Sequence, residues 1–276
     1  MFQIRIFISF LLVLLLFSCN YDPQVEIKRY RCSDSICELP DSHSPKMNFD
    51  SDVEICLLSC PSGNAEHTKI VNSINRSILE LIAPDYVNEE YDSISKRLVH
   101  ANIEEMREIN SNRFSSLLYD DTEECDEDSI TYNFYNNIST DCRIGLGDSI
   151  ICYTYNLSSY ISGAHPNNVS YAYSYSLING NKIHPNLLFS KEGKSKMLDR
   201  IIAKLIKREK VKNEEELRAL GFEVLQLTDN ILLDKDSITF HYDSYTIAPF
   251  SYGEFIDIKF SYSEISDIFL WTNPEK

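Results

Sequence analysis

The stretch ICYTYNLSSYISGAHPNNVSYAYSYSLINGN, residues 151–181, contains two runs in which large and small side chains alternate. Successive side chains of a strand point to opposite faces, so this period of two predicts a strand in each run. Asn179-Gly180 follows the second run and is a strong signal of a tight turn. The large residues are Ile151, Tyr153, Tyr155 and Leu157 in the first run, and Tyr171, Tyr173, Tyr175 and Leu177 in the second.

Amphipathic helices and further strands flank this stretch. Apolar residues recur at helical spacing from residue 70 to residue 82, and Pro84 ends that run. Residues 91–110 and 197–206 show the same period, whereas residues 53–61, 237–250 and 254–262 read as strands. Helices interspersed with hairpin-linked strands predict an α+β fold. We expect antiparallel sheets with helices packed on one face, arranged as two consecutive subdomains.

The N-terminal segment predicts export. Residues 1–18 carry one basic residue, Arg5, and then a run of apolar residues, as secretory signal peptides do. The run is shorter than the about 20 apolar residues that a membrane span requires. Leu16-Phe17-Ser18-Cys19 resembles a bacterial lipobox, in which the cysteine is acylated and anchors the protein. The alternative is a plain signal peptide followed by an unrelated cysteine.

The lipobox predicts the location and the partner membrane. We expect residues 1–18 to be a lipoprotein signal peptide and Cys19 to be the lipidation site. The protein would then be attached by its lipid to a membrane of the bacterial cell envelope, on the periplasmic or the cell-surface face. Residues 19–48 are polar and contain prolines, so they predict a loosely ordered tether.

The charge of the chain restricts the classes of partner. The formal net charge is −16, which argues against nucleic acid because binding to phosphates requires a positive surface. An acidic surface suits a cationic partner. A solvated acidic surface without any partner is the alternative.

The cysteine count predicts at least one thiol without a partner in the chain. There are eight cysteines, and assigning Cys19 to lipid leaves an odd number. Cys142 and Cys152 are equidistant from Gly147, inside a segment that predicts a turn. If the turn centres on Gly147, these cysteines face each other on adjacent strands within disulfide distance. A shift of the turn by one residue would misalign them.

Three segments in sequence order resemble a known family. They are SGAHP at 162–166, NGNKIHPNLLF at 179–189 and YTIAPFSYGEFIDIKFSYSEI at 245–265. Together they resemble the RsiV family, the extracellular domain of lysozyme-responsive anti-sigma factors, which also accompanies the deacetylase domain of PdaC-type peptidoglycan enzymes. The family usually has Gly-Gly-Ala-His where this chain has Ser162-Gly163-Ala164-His165.

The resemblance implies a domain division and a class of protein. It implies a PdaC-type N-terminal α+β domain over residues 49–182 and an RsiV-family C-terminal α+β domain over residues 183–276. It also implies a stand-alone bacterial lipoprotein of the cell envelope. Lysozyme binding belongs to one branch of the family, so a lysozyme-like protein and peptidoglycan are candidate partners.

The SGAHP corner is the candidate binding site. Gly163 lets the backbone bend between two strands, and Pro166 fixes the exit of the corner. His165 either hydrogen-bonds within the corner or binds a ligand. The flanking tyrosines either stack on a sugar or are half-buried strand residues. The candidate binding residues are Tyr160, Ser162, Gly163, Ala164, His165, Pro166 and Tyr171.

Sequence motifs of catalysis are absent. The chain has no H-E-x-x-H metal pair, G-x-S-x-G elbow, P-loop or dinucleotide fingerprint, so we predict no cofactor and no metal. Two functions stay open. The first is a non-catalytic envelope lipoprotein that binds a protein or a glycan. The alternative is a peptidoglycan- or glycan-active hydrolase with an unrecognised site around His165.

Overall fold

The computed structural model describes residues 25–38, 46–117, 131–161, 165–224, 226–243 and 246–271. This part of the chain contains eight strands and five α-helices. The strands are β1 Glu26–Glu38, β2 Lys46–Ser59, β3 Thr131–Ile144, β4 Ile150–Tyr160, β5 Asn167–Ser176, β6 Ile231–Leu233, β7 Ser237–Asp243 and β8 Phe255–Ser261. The helices are α1 Ala65–Ile82, α2 Tyr91–Leu117, α3 Pro185–Leu188, α4 Lys191–Glu209 and α5 Glu214–Ala219.

The strands form two sheets. The large sheet has the order β1-β2-β3-β4-β5, and the small sheet has the order β6-β7-β8. All neighbouring strands are antiparallel except β2 and β3, which run parallel. A parallel pair needs a long crossover, and α1 and α2 supply it. The predicted α+β class with antiparallel sheets and packed helices is therefore confirmed.

Helices α1 and α2 cover one face of the large sheet and form a first core with it. Val71, Ile74 and Ile78 of α1 are buried in the same cluster as Val53 and Ile55 of β2. The hairpin of β4 and β5 contributes the tyrosines and aliphatic residues that the period of two places on one face. Those residues are Ile151, Tyr153, Tyr155, Leu157, Tyr171, Tyr173, Tyr175 and Leu177.

The opposite face of β4 and β5 belongs to a second core, shared with α4 and the small sheet. Cys152 and Ala172 are buried there with Met197 of α4. Ser174 joins the two sheets. Its hydroxyl donates to the carbonyl of Ile231 at 3.0 Å and accepts from the amide of Leu233 at 2.9 Å. The hydroxyl thus satisfies backbone groups on the free edge of β6.

The structure corrects part of the tether predicted over residues 19–48, of which residues 25–38 and 46–48 are described. Strand β1 occupies Glu26–Glu38 and pairs with β2 along its whole length, from Glu26 opposite Ser59 to Glu38 opposite Met47. The polar composition has a different cause: β1 is an edge strand whose charged side chains make ion pairs at the surface, such as Arg31 with Asp52 at 2.6 Å. The predicted signal peptide and the predicted lipidation site Cys19 lie outside the described residues.

The predicted disulfide between Cys142 and Cys152 is wrong, because both are free thiols. Cys142 pairs with Tyr153, and Cys152 pairs with Arg143. A one-residue offset turns a side chain to the other face of a sheet. Cys142 therefore lies in the first core and Cys152 in the second.

The turn itself explains the offset. Gly147 and Asp148 have φ angles of 59° and 53°, so two consecutive residues are in the left-handed region. Ile144 pairs with Ile151, so the turn is centred between Gly147 and Asp148 rather than on Gly147.

Candidate functional site

The SGAHP corner is partly described. Ser162, Gly163 and Ala164 lie outside the described residues, whereas His165 and Pro166 are exposed between β4 and β5. The Nδ1 atom of His165 lies 2.9 Å from the carbonyl oxygen of Pro166. This contact ties the imidazole to the backbone of the corner itself.

The two candidate tyrosines belong to separate ring stacks. The ring of Tyr160 stacks on Phe134, with centroids 6.3 Å apart and planes at 14°. The ring of Tyr171 lies between Tyr155, at 5.9 Å, and Tyr173, at 5.8 Å. Both candidate residues are half-buried and pack against the first core. Each ring therefore contributes to packing, and each keeps part of its surface open.

A lysine extends the second stack toward the turn after β5. The Nζ atom of Lys182 lies 3.3 Å from the centroid of the Tyr173 ring, a cation–π contact. Burial raises the pKa of the Tyr173 phenol to about 12 and lowers the pKa of the Lys182 ammonium. Sequence reasoning included Lys182 in a family-like segment and assigned it no contact.

A groove of about 870 Å³ lies beside the first turn of α4, and we call it the α4 groove. Lys194 donates a hydrogen bond to the Oδ1 atom of Asn186 at 2.6 Å, and the hydroxyl of Tyr242 donates to the carbonyl of Gln226 at 3.3 Å. Its walls contain both polar and apolar side chains, which suits a ligand of mixed character. The lining residues are Pro185, Asn186, Lys194, Ser195, Leu198, Glu223, Gln226, Leu227, Thr228, Asp229, Tyr242, Thr246 and Ile247.

Carboxylates gather on the side of β1, β2 and β3 that faces away from α1 and α2. We call this surface the acidic face. The side chains of Asp52 and Asp141 are 40% and 48% exposed, so both carboxylates are open to solvent. A shallow hollow of about 410 Å³, which Ser33 and Asn137 help to line, lies at its centre. Its acidic residues are Asp50, Asp52, Glu54 and Asp141, and they surround Arg29 and Arg31. Asp34 also lines the hollow, but it pairs with the buried Ser51 and therefore belongs to the other side of β1.

The arginines of the acidic face hold some of these carboxylates in place. Arg29 contacts both Glu54 and Asp141 at 2.9 Å, and Arg31 contacts Asp52 through two nitrogens. Asp50 has no cationic partner among the residues described. The face therefore keeps an excess of negative charge in a fixed array.

A histidine and a carboxylate meet on the small sheet. The Nδ1 atom of His241 lies 2.7 Å from the Oδ1 atom of Asp257, which is 63% exposed. The Nε2 atom of His241 is buried and has no hydrogen-bond partner in the described chain. A carboxylate-held imidazole is part of a general-base arrangement, which also requires a nucleophile at the other nitrogen. The described contacts show none there.

Two further classes of feature are absent from the described residues. No group of three or more histidine, cysteine, aspartate or glutamate side chains is arranged to hold a metal ion there. None of the helices in that part of the chain combines the length and the apolar character that crossing a bilayer demands.

Sequence reasoning missed the acidic face and the α4 groove for different reasons. Asp50, Asp52 and Glu54 alternate along β2, so the signal for a one-sided acidic strand was present in residues 50–54. The α4 groove draws its lining from segments around residues 185, 194, 223–229, 242 and 246. No local pattern joins those segments.

The fold and these surfaces define an α+β protein with a five-stranded sheet, two helices on one face and a smaller α+β layer on the other. Residues 187–263, which include α4 and the small sheet, match the family model described as "Protein of unknown function (DUF3298)". No curated protein matches the chain.

Two solved structures share the fold. A member of the DUF3298 family from Bacteroides fragilis NCTC 9343 superposes with a TM-score of 0.74 at 20% sequence identity, over 92% of this chain and 96% of that chain. A DUF3298 family protein from Pseudomonas aeruginosa PAO1 gives a TM-score of 0.53 at 13% identity, over 89% of this chain and 95% of that chain. At these identities the likeness shows the fold alone.

Proposed function

We propose that the protein is a cell-envelope lipoprotein whose body is a non-catalytic binding module for a cationic partner, such as a lysozyme-like protein. The observation that carries the proposal is the acidic face. Asp50 offers charge that no cation in the described chain neutralises, and the net charge of −16 acts in the same direction. Complementary charge steers a partner to such a surface and fixes its register.

The sequence features agree with this assignment. Cys19 in its lipobox-like context provides an anchor in the envelope. The resemblance of three segments to the RsiV family points to the same compartment and the same kind of ligand. The contact of His165 with the carbonyl of Pro166 supports a structural corner rather than a hydrolytic centre.

The test is a titration of lysozyme against the full chain at two ionic strengths. We expect binding at low ionic strength that weakens as salt screens the acidic face. The double substitution Asp50→Lys and Asp52→Lys replaces two carboxylates of the acidic face, and we expect it to weaken binding by roughly tenfold or more. Absence of binding at low salt would remove lysozyme-like proteins as partners.

A matched control separates the acidic face from total charge. Asp199 on α4 and Glu215 on α5 are exposed and distant from the acidic face in the fold. Asp199→Lys with Glu215→Lys changes the net charge by the same amount. This variant should keep its affinity within about twofold, and an equal loss in both variants would point to a non-specific charge effect.

A second candidate ligand is a peptidoglycan fragment, and the mixed lining of the α4 groove favours it. Lys194 and Asn186 present a cation and an amide beside the apolar wall of Leu198 and Ile247. Titration with soluble muropeptides tests this ligand. Lys194→Ala should weaken such binding, whereas Asp50→Lys with Asp52→Lys should leave it unchanged.

A further inference from the structure

We infer that an apolar patch at one end of the fold rests on the surface of a lipid bilayer, an inference that relies on the lipid anchor of the proposed function. The apolar patch consists of Ile178, Leu187, Leu270 and Trp271, which line one hollow. Leu187 is 61% and Leu270 53% exposed, the highest values among the exposed large hydrophobic residues of the described chain. The amide of Leu270 donates to the carbonyl of Leu188 at 2.9 Å and holds these segments together.

The charge around the apolar patch differs from that of the whole protein. The described residues that line the hollow include no aspartate and no glutamate, although the chain contains 42 acidic residues. Lys182 is the charged residue of this lining, and the polar remainder is Ser176, Asn179 and Asn181. An apolar surface with a cation and without carboxylates suits a bilayer interface, where anionic lipids repel acidic protein surfaces.

The apolar patch lies at the end of the large sheet where the chain enters the fold. Glu26, the first residue of β1, pairs with Ser59 at the end of β2. Strand β3 runs parallel to β2, so Ile144 ends it on the same side, and Ile144 pairs with Ile151. Ile151 in turn pairs with Tyr175, near the end of β5. Four inter-strand steps of about 4.8 Å make this row roughly 19 Å long.

The proposed anchor holds this end of the sheet close to the lipid. Six peptide steps separate Cys19 from Val25, the first residue of the described body. Each step spans at most about 3.6 Å, so the acylated cysteine lies within roughly 22 Å of Val25. This limit holds for any path of the intervening residues. The row of paired residues that ends at the apolar patch is about as long as this limit. The apolar patch is therefore within reach of the membrane surface that holds the acylated cysteine.

The identity of the exposed side chains favours a membrane over a second protein. Tryptophan presents a large apolar ring with one polar N–H, which is the reason it concentrates at membrane interfaces. A short anchor also keeps the apolar patch permanently near the bilayer. A weak contact is therefore enough to keep the apolar patch bound to the lipid surface. A second copy of the chain would have to compete with that local concentration of lipid.

Fluorescence of Trp271 tests the inference, because it is the sole tryptophan of the chain. The full-length acylated protein is reconstituted into phosphatidylethanolamine–phosphatidylglycerol vesicles that contain brominated lipid. We expect the bromine atoms to quench Trp271. Leu187→Glu with Leu270→Glu should abolish the quenching. Leu220→Glu, at another exposed apolar residue, should retain it.

Flotation of the same vesicles separates failure of the anchor from failure of the inference. If the wild-type protein does not float, the lipid anchor is refuted and the inference falls with it. If the protein floats but Trp271 is not quenched, the anchor stands and the inference alone is overturned. Concentration-dependent shielding of Trp271 from acrylamide in detergent without vesicles would assign the patch to self-association instead. Circular dichroism establishes that each variant is folded.

Discussion

Cys142 and Cys152 lie on opposite faces of the hairpin formed by β3 and β4, one in each core of the protein. Both side chains are buried, and their relative exposures are 4% and 0%. Burial raises the pKa of both thiols, that of Cys152 to about 11. A buried, protonated thiol is a poor nucleophile, so neither cysteine is poised to form a disulfide in the folded protein.

Native alkylation measures this arrangement. We expect Cys142 and Cys152 to resist iodoacetamide at pH 8 in the folded protein and to react on unfolding. Cys37, which is exposed on β1, should react before unfolding and serves as the internal control. Peptide mapping without reductant should recover no peptide that links Cys142 to Cys152. Recovery of that linked peptide would contradict the register of the hairpin.

Alkaline pH should destabilise the fold. Burial raises the pKa of Tyr155 and of Tyr173 to about 12, above the usual 10.0, and that of Cys152 above the usual 9.0. These groups lose their protons more readily in the unfolded chain. The free energy of unfolding should therefore be unaffected by them below about pH 8 and should fall as the pH rises from 9 toward 12. Denaturant midpoints across this range measure the effect, and a flat profile would contradict it.

The sequence predicts the faces of the strands better than their register. The alternation in residues 151–157 and 171–177 assigns the tyrosines to one face, because burial of one face follows directly from the period of two. The register of β3 on β4 depends on a turn in which Gly147 and Asp148 both take positive φ. Glycine permits this conformation and aspartate seldom adopts it. The sequence pattern alone therefore does not reveal that the turn is centred half a residue beyond Gly147.

Polar composition was a misleading guide to order at the N-terminal end of the body. Strand β1 is polar because it is an edge strand with one pairing neighbour, and Arg29 and Arg31 neutralise carboxylates on β2 and β3. Composition does not distinguish such a strand from a tether. Local sequence patterns do not predict the α4 groove either, because its walls meet only when α4 packs on the small sheet.

Replacement of Ser174 should weaken the contact between the two sheets. Ser174→Ala removes the hydroxyl that serves the carbonyl of Ile231 and the amide of Leu233, and it leaves both groups buried without a partner. We expect the free energy of unfolding to fall by about 2–3 kcal/mol. Urea denaturation measures it. Ser195→Ala, on the exposed surface of α4, should change stability by less than about 0.5 kcal/mol.

Gly145 lies where the hairpin of β3 and β4 comes close to the small sheet. A Cβ atom at this position would overlap the carbonyl oxygen of Leu233 and would lie 2.9 Å from the Sγ atom of Cys152. Backbone cannot yield as a flexible side chain does, so Gly145→Ala should cost about 3 kcal/mol or more in stability. Gly63→Ala meets no atom within 4 Å and should cost about 1 kcal/mol, from its φ of 65° alone. Equal costs in both variants would exclude the close approach.

Acylation of Cys19 is the prediction on which the position of the protein depends. Its thiol follows Leu16-Phe17-Ser18, and a diacylated cysteine at this position would become the first residue of the mature chain. Several acyl chains on one residue anchor stably, because each buried methylene contributes about 0.8 kcal/mol. Metabolic labelling with a fatty acid should mark the wild-type protein and the control variant Cys37→Ser equally. The variant Cys19→Ser should carry no label, and it should remain unprocessed or be released from the membrane. Equal label in Cys19→Ser would remove the lipobox assignment and would leave a plain signal peptide as the explanation of the N-terminal segment.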